Sequence, residues 1–289
     1  MKGMSLLARS IALLGLSLLS CASAPTSRWV RDPSAKQETR SPGVVLFVMT
    51  AADEQILRDG SQRPTGYFLS EFYEAYRSVR DAGYEVVFAS PGGEVPVVDP
   101  ESTNPKYWKD HPEWLEEARR FVAQDERIRA PLTLEAALAR EQEFQAVIVP
   151  GGQGVMIDLL EDERAHELIV KMGSSHRPVG LICHAPAILT RLPRSVSFHG
   201  RRVTSVSWTE EWFIETFVMG ARAQERDIGG RLAERGWQHE AAFPGSGHAV
   251  RDCNLVTSQN PFSGAEFSAL FLEALEDFRR GGHCEASDG

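Results

Sequence analysis

Short apolar runs alternate along the chain with amphipathic stretches of helical period. Gly43-Val-Val-Leu-Phe-Val-Met49 is bounded by Pro42 and polar residues, the pattern of a strand buried on both faces. Residues 67–82 place Phe68, Phe72, Tyr76 and Val79 on one side of a helix that Gly83 ends. Further strands are expected at 84–89, 144–149 and 178–182, and helices at 159–172 and 185–192. A weaker strand at 254–258 and a helix at 262–279 close the pattern. Such alternation builds a three-layer α/β sandwich with an open, mostly parallel sheet. Its ligand site is expected at the carboxyl ends of the strands.

Two stretches break the rhythm. Residues 91–142 are too long for a plain crossover. They open on Pro91-Gly92-Gly93, contain a charged helical run at 112–124, and carry Tyr107, Trp108 and Trp114 as apolar anchors. The expectation is a cap insert beside the site, or a dimer surface. Residues 207–250 show no clear period.

The N-terminus follows a different logic. Lys2 and Arg9 precede an apolar run at 11–19 that is too short to span a bilayer, which needs ~20 residues. This is the pattern of a secretory signal over residues 1–20. The run ends in Leu18-Leu19-Ser20-Cys21, which resembles a bacterial lipobox with Cys21 as the lipid-attachment residue. The alternatives are cleavage after Ala22-Ser23-Ala24, which Pro25 disfavours, or a chance apolar start on a cytosolic chain. Residues 21–42 then form a flexible Ser/Ala/Pro-rich tether, 43–280 the folded domain and 281–289 a polar tail. A lipid on Cys21 would partner the domain with a membrane in the cell envelope. Ala22 and Ser23 lack an inner-membrane retention aspartate, which favours the periplasmic face of an outer membrane.

Composition narrows the class. Hydrophobic residues make up 42% and charged residues 25%, which excludes a disordered or fibrous chain. The formal charge of −9, without a long basic run, argues against nucleic acid as the partner. Four cysteines are too few for a disulfide scaffold. A Cys253–Cys284 bond is compatible with an oxidising compartment, but spacing does not establish it. His239, His248, Cys253 and His283 lack metal-ligand spacing, so no metal is expected.

The chemistry concentrates at Cys183-His184-Ala185-Pro186-Ala187, where a strand runs into a turn and a helix. That arrangement is the logic of a nucleophile elbow, with Gly180 and Ala185 as its small neighbours. A helix N-terminus is expected to lower the thiol pKa. Pro150-Gly151-Gly152-Gln153-Gly154 follows another strand and suits an oxyanion hole. Glu71 is one acid on an otherwise aromatic and apolar helix face.

Gly66-Tyr-Phe-Leu-Ser-Glu71, Ala82-Gly-Tyr-Glu-Val-Val-Phe-Ala-Ser-Pro91, Pro150-Gly-Gly-Gln-Gly154, Cys183-His-Ala-Pro-Ala187 and Leu255-Val-Thr-Ser-Gln-Asn-Pro261 occur in this order. Together they resemble the PfpI superfamily of class I glutamine-amidotransferase-like proteins, in its heat-shock chaperone and glyoxalase III branch. The resemblance covers about residues 43–279. It implies a flavodoxin-like fold and a reactive Cys183 with His184 beside it. It also implies Glu71 bonded to the thiol, and a carboxylate orienting the His: Glu211 by spacing, with Glu210 as fallback. Ala185 and Ser205 stand where the family usually has glycine, and Trp208 is unusual in its segment.

The implied activity is cofactor-independent action on small reactive carbonyls, either the glutathione-independent conversion of methylglyoxal to lactate or a deglycase reaction. Cys183 would attack the aldehyde, Gly152 and His184 N–H groups would hold the oxyanion, and His184 or Glu71 would move the proton. A cysteine peptidase or amidase, a non-catalytic holdase and a redox sensor are the alternatives on the same fold. A homodimer is left open.

Overall fold

The computed structural model describes residues 28–30 and 42–285. The expected leader at 1–20, Cys21, most of the tether and residues 286–289 lie outside them. Seven strands form the central sheet: β1 Val44–Val48, β2 Glu85–Ser90, β3 Leu132–Thr133, β4 Phe144–Val149, β5 Val179–Ile182, β6 Ala249–Asp252 and β7 Leu255–Ser258. Their order is β6-β7-β5-β4-β1-β2-β3, and only β6–β7 pairs antiparallel. This is the expected mostly parallel sheet. The strand order reverses between β1 and β4, so a crevice opens at their carboxyl ends.

The first helix, α1 (Leu69–Asp81), buries Leu69, Phe72, Tyr76 and Val79 against the sheet. Phe72 meets Phe47 of β1 and Phe88 of β2 at centroid distances of 5.8 and 5.9 Å. Gly83 ends the helix at φ 89°. This packing fixes the register of α1 and therefore the direction in which Glu71 points.

The 91–142 insert is not a simple cap. Its helix α2 (Pro112–Gln124) sends Phe121 to within 4.4 Å of the Tyr76 ring, and β3 extends the sheet edge. Aromatic burial therefore draws most of the insert into the main body. The shorter stretch from Asp99 to Tyr107 supplies its contacts to the crevice.

Two helices differ from expectation. The stretch 159–172 becomes α3 (Glu163–Ser174), because the Asp162 side chain accepts the Arg164 and Ala165 N–H groups and starts the helix there. Residues 185–192 form a 3-10 helix, Ala185–Arg191, instead of an α-helix. Pro186 removes a donor there, and Thr190 Oγ1 bonds the Ala187 carbonyl at 2.6 Å.

The irregular 207–250 stretch contains α4 (Trp208–Ile214), opened by a reciprocal Ser207–Glu210 capping box. A hairpin of Glu54–Ile56 with Gln62–Pro64 has no counterpart in the sequence reading. Arg58 ties it to the backbone of residues 222–224, donating to the Ala223 and Gln224 carbonyls at 2.9 Å. The closing helix, α5 (Gly264–Arg279), lies on β5, with Phe267 and Phe271 over Gly180.

The chain ends depart from a plain tether and tail. Arg28–Val30 pairs antiparallel with His283–Glu285. A Cys253–Cys284 disulfide ties this ribbon to the β6–β7 turn, with the Cα atoms 5.9 Å apart.

Candidate active site

Cys183 follows β5 directly, in the left-handed region at φ 58°. A side chain there costs roughly 1–3 kcal/mol and persists only when neighbours impose it. Two backbone bonds do so: Cys183 N–H donates to Ser258 O at 2.8 Å, and Val206 N–H donates to Cys183 O at 3.0 Å. Gly180, expected as a small neighbour of the elbow, instead makes room for α5. A Cβ there would lie 2.7 Å from Phe267.

Glu71 reaches the thiol from the first turn of α1 and is 3% exposed. Neither oxygen closes a hydrogen bond of ordinary geometry, but the carboxyl lies against the Gly151–Cys183 wall. A Cβ on Gly151 would sit 2.5 Å from Glu71 Oε2 and 2.6 Å from Cys183 Cβ, so residue 151 must be glycine for the carboxyl to fit. Burial raises the Glu71 pKa to about 8, against the downward pull of the thiol and the Gly151 N–H. The Cys183 thiol is also pushed well above its usual value, by burial first and then by the charges of Glu71 and Glu210. The expected lowering of its pKa is overturned, because the His184 N–H pulls downward too weakly to offset burial.

His184 is held neutral at neutral pH: burial, helped by Arg63, lowers its pKa to about 4. Its Nδ1 lies 3.2 Å from Cys183 Sγ and its Nε2 3.0 Å from Gln153 Nε2. Gln153 Oε1 accepts from Gln55 Nε2 at 3.0 Å, and Gln55 Oε1 accepts from Arg63 Nη1 at 3.3 Å. Arg63 can only donate, so it fixes the direction of the whole chain. Gln153 then donates to His184 Nε2, and the ring proton sits on Nδ1, aimed at the sulfur.

No carboxylate occupies the place expected for Glu211. Glu211 accepts from Asp227 N–H at 2.7 Å and does not bond His184. Glu210 faces the crevice, but its oxygens bind Ser207, Gly245, Gln259 and Asn260. The capping box aims Glu210 inward and leaves Glu211 against the following loop. Gln153 stands where the carboxylate was expected.

Gly152, at φ 114°, lines the same cavity as Cys183 and His184. Neither the Gly152 nor the His184 N–H is taken by a backbone carbonyl among the described residues. The cavity has a volume of about 410 Å³ and is walled by the hairpin, by Asp99–Tyr107, by α4 and by Asn260–Phe262. Among the described residues no group of three or more His, Cys, Asp and Glu could hold a metal ion.

Residues 65–274 match the DJ-1/PfpI family. The chain belongs to that family. A glutathione-independent glyoxalase of Schizosaccharomyces pombe, a similar sequence, is 24% identical over 261 residues, covering 83% of this chain and 99% of its own. Among solved structures, glyoxalase III of Candida albicans matches with a TM-score of 0.64 at 20% identity, covering 81% of this chain and 98% of its own. The Rapid Encystment Protein of Francisella tularensis matches with the same TM-score at 21% identity, covering 81% and 99%. These two likenesses establish the shared fold. The hairpin carrying Gln55 and Arg63 lies outside the matched DJ-1/PfpI segment. Their signal in the sequence was faint, because two polar residues in a turn-rich stretch show no period.

Proposed function

We propose that this DJ-1/PfpI family protein is a cofactor-independent cysteine enzyme that converts small 2-oxoaldehydes, methylglyoxal among them, to 2-hydroxy acids without glutathione. The observation that carries the reading is Cys183 on a left-handed turn at a cavity wall, with Glu71 on one side and the His184 Nδ1 proton on the other. The S. pombe relative's description as a glutathione-independent glyoxalase supports the same chemistry.

The steps follow from the site. Glu71 loses its proton before the thiol does, since burial holds Cys183 higher, and its carboxylate then takes the thiol proton, giving a transient thiolate that His184 Nδ1–H stabilises beside a protonated Glu71. The thiolate adds to the aldehyde carbon, and the Gly152 and His184 N–H groups receive the oxyanion. Glu71 protonates that oxygen, and its carboxylate then removes the proton from C1. An enediolate forms, the C1 hydroxyl proton passes to the C2 oxygen, and Glu71 returns its proton to C2, giving a thioester of the 2-hydroxy acid. Water releases the acid and regenerates the thiol. His184 keeps Nε2 engaged with Gln153 throughout, so Glu71 is the base.

Soluble protein from residue 22 onward, given methylglyoxal without glutathione, should form lactate. Cys183→Ser should lower that rate at least ~10³-fold. Lactate formation that survives the substitution would sink the reading. We propose further that Cys21 carries a lipid anchor at a bacterial envelope. The Cys253–Cys284 bond supports an oxidising compartment.

A further inference from the structure

We propose that the preferred substrate is a 2-oxoaldehyde bearing a bulky, uncharged apolar or aromatic substituent, with methylglyoxal a minor one. The inference rests on the glyoxalase reading above and names the substrate class of that site. Its first support is size. Cavities of ~300–1,000 Å³ suit ligands of drug size, and this one measures about 410 Å³, whereas methylglyoxal has three carbons.

The second support is the lining. Phe68, Tyr107 and Phe262 form one aromatic strip, with centroids 4.8 and 5.8 Å apart in sequence. Trp212, Phe213 and Val218 bring a second apolar wall from α4 and the π-helical segment Glu215–Met219 that continues it. Trp212, Phe213 and Phe262 remain 44%, 53% and 48% exposed, so aromatic surface stands open to water at the cavity. Contiguous exposed apolar surface of this kind marks a binding site.

The third support is charge. The two cations in the lining, Arg63 and Lys106, are each matched by an acid in the lining. Arg63 lies 3.5 Å from Asp99 and donates to Gln55, and Lys106 contacts Glu101 at 2.5 Å. Glu210 adds a further acid. An anionic substituent, phosphate or carboxylate, finds no uncommitted cation there. A neutral ring finds a wall.

The test compares initial kcat/KM for phenylglyoxal, which takes up one water to give mandelate, with that for methylglyoxal. Each added methylene buried is worth about fourfold, so phenylglyoxal should win by tenfold or more. In Trp212→Ala and Phe262→Ala the ratio should fall toward unity through the phenylglyoxal KM. Equal or reversed preference in the wild type overturns the proposal. A second measurement separates it from the glyoxalase reading. Phenacyl chloride and chloroacetone both alkylate Cys183: the sulfur–carbon bond forms, chloride leaves and the thiol proton passes to solvent. With each rate normalised to N-acetylcysteine, the phenacyl reagent should be favoured tenfold or more. If neither dicarbonyl turns over yet this preference holds, the glyoxalase reading fails and the apolar subsite stands. Equal normalised rates overturn the subsite whatever the turnover.

Discussion

At Cys183 the local chemistry is set by which neighbour holds a proton and where. Glu71 is displaced upward to about 8 and His184 downward to about 4, both chiefly by burial. Below about pH 8 Glu71 keeps its proton, and above it the carboxylate is free to take the proton of Cys183. Alkylation of Cys183 by iodoacetamide should therefore accelerate as pH rises, with an inflection near 8 and none near 6.5. Gln153→Leu frees His184 to place its proton on either nitrogen, so the thiolate loses an assured donor. Alkylation above pH 8 should then slow and kcat/KM should fall at least tenfold, while the far-ultraviolet spectrum stays unchanged. Cys183, His184 and Glu71 were legible in the sequence because each sits in a short motif. The Gln55–Gln153 link was not, because two neutral amides brought together across 98 positions carry no local signature. The Glu211 expectation failed for a related reason: spacing along a helix start gives candidates, and the cap decides which one turns inward.

Strands and helices were legible where burial was two-sided or the helical stripe was long. The apolar runs of β1, β4 and β5 and the stripe of α1 have no competing reading. The insert misled because α2 looks solvated along most of its length, and its packing residues are few: Leu115 and Ala118 are buried, and the Phe121 ring meets Phe72, Tyr73 and Tyr76 of α1. Gly180 carries the opposite lesson. Its neighbours in sequence suggested the elbow, whereas its neighbours in space are two stacked rings of α5, with centroids 5.6 Å apart. Gly180→Ala should force those rings outward, since the new Cβ would approach Phe267 to 2.7 Å and Phe271 to 2.9 Å. A loss of ~1–3 kcal/mol is expected by urea denaturation, with α5 the first region to gain amide exchange.

For the molecule as a whole, the disulfide closes a loop of 31 residues that contains β7 and α5. Chain-entropy arguments give such a closure roughly 3–4 kcal/mol. Melting in dithiothreitol, or of Cys253→Ser, should come ~5–15 °C earlier than for the oxidised wild type. Identical melting curves would show the bond to be idle. The pairing was open in the sequence, because two cysteines of four can be joined in several ways and only the ribbon at the chain ends brings these two together.

The disulfide and the elbow also give the molecule two poles. Cys253 precedes β7, and Cys183 bonds to Ser258 at the opposite end of that strand. The ribbon at Arg28–Val30 and its disulfide therefore lie at the amino ends of the strands, and the cavity opens at the other end. The covalent tie from the His283–Glu285 strand enters the sheet at the β6–β7 turn, a strand's length from the turn that presents Cys183.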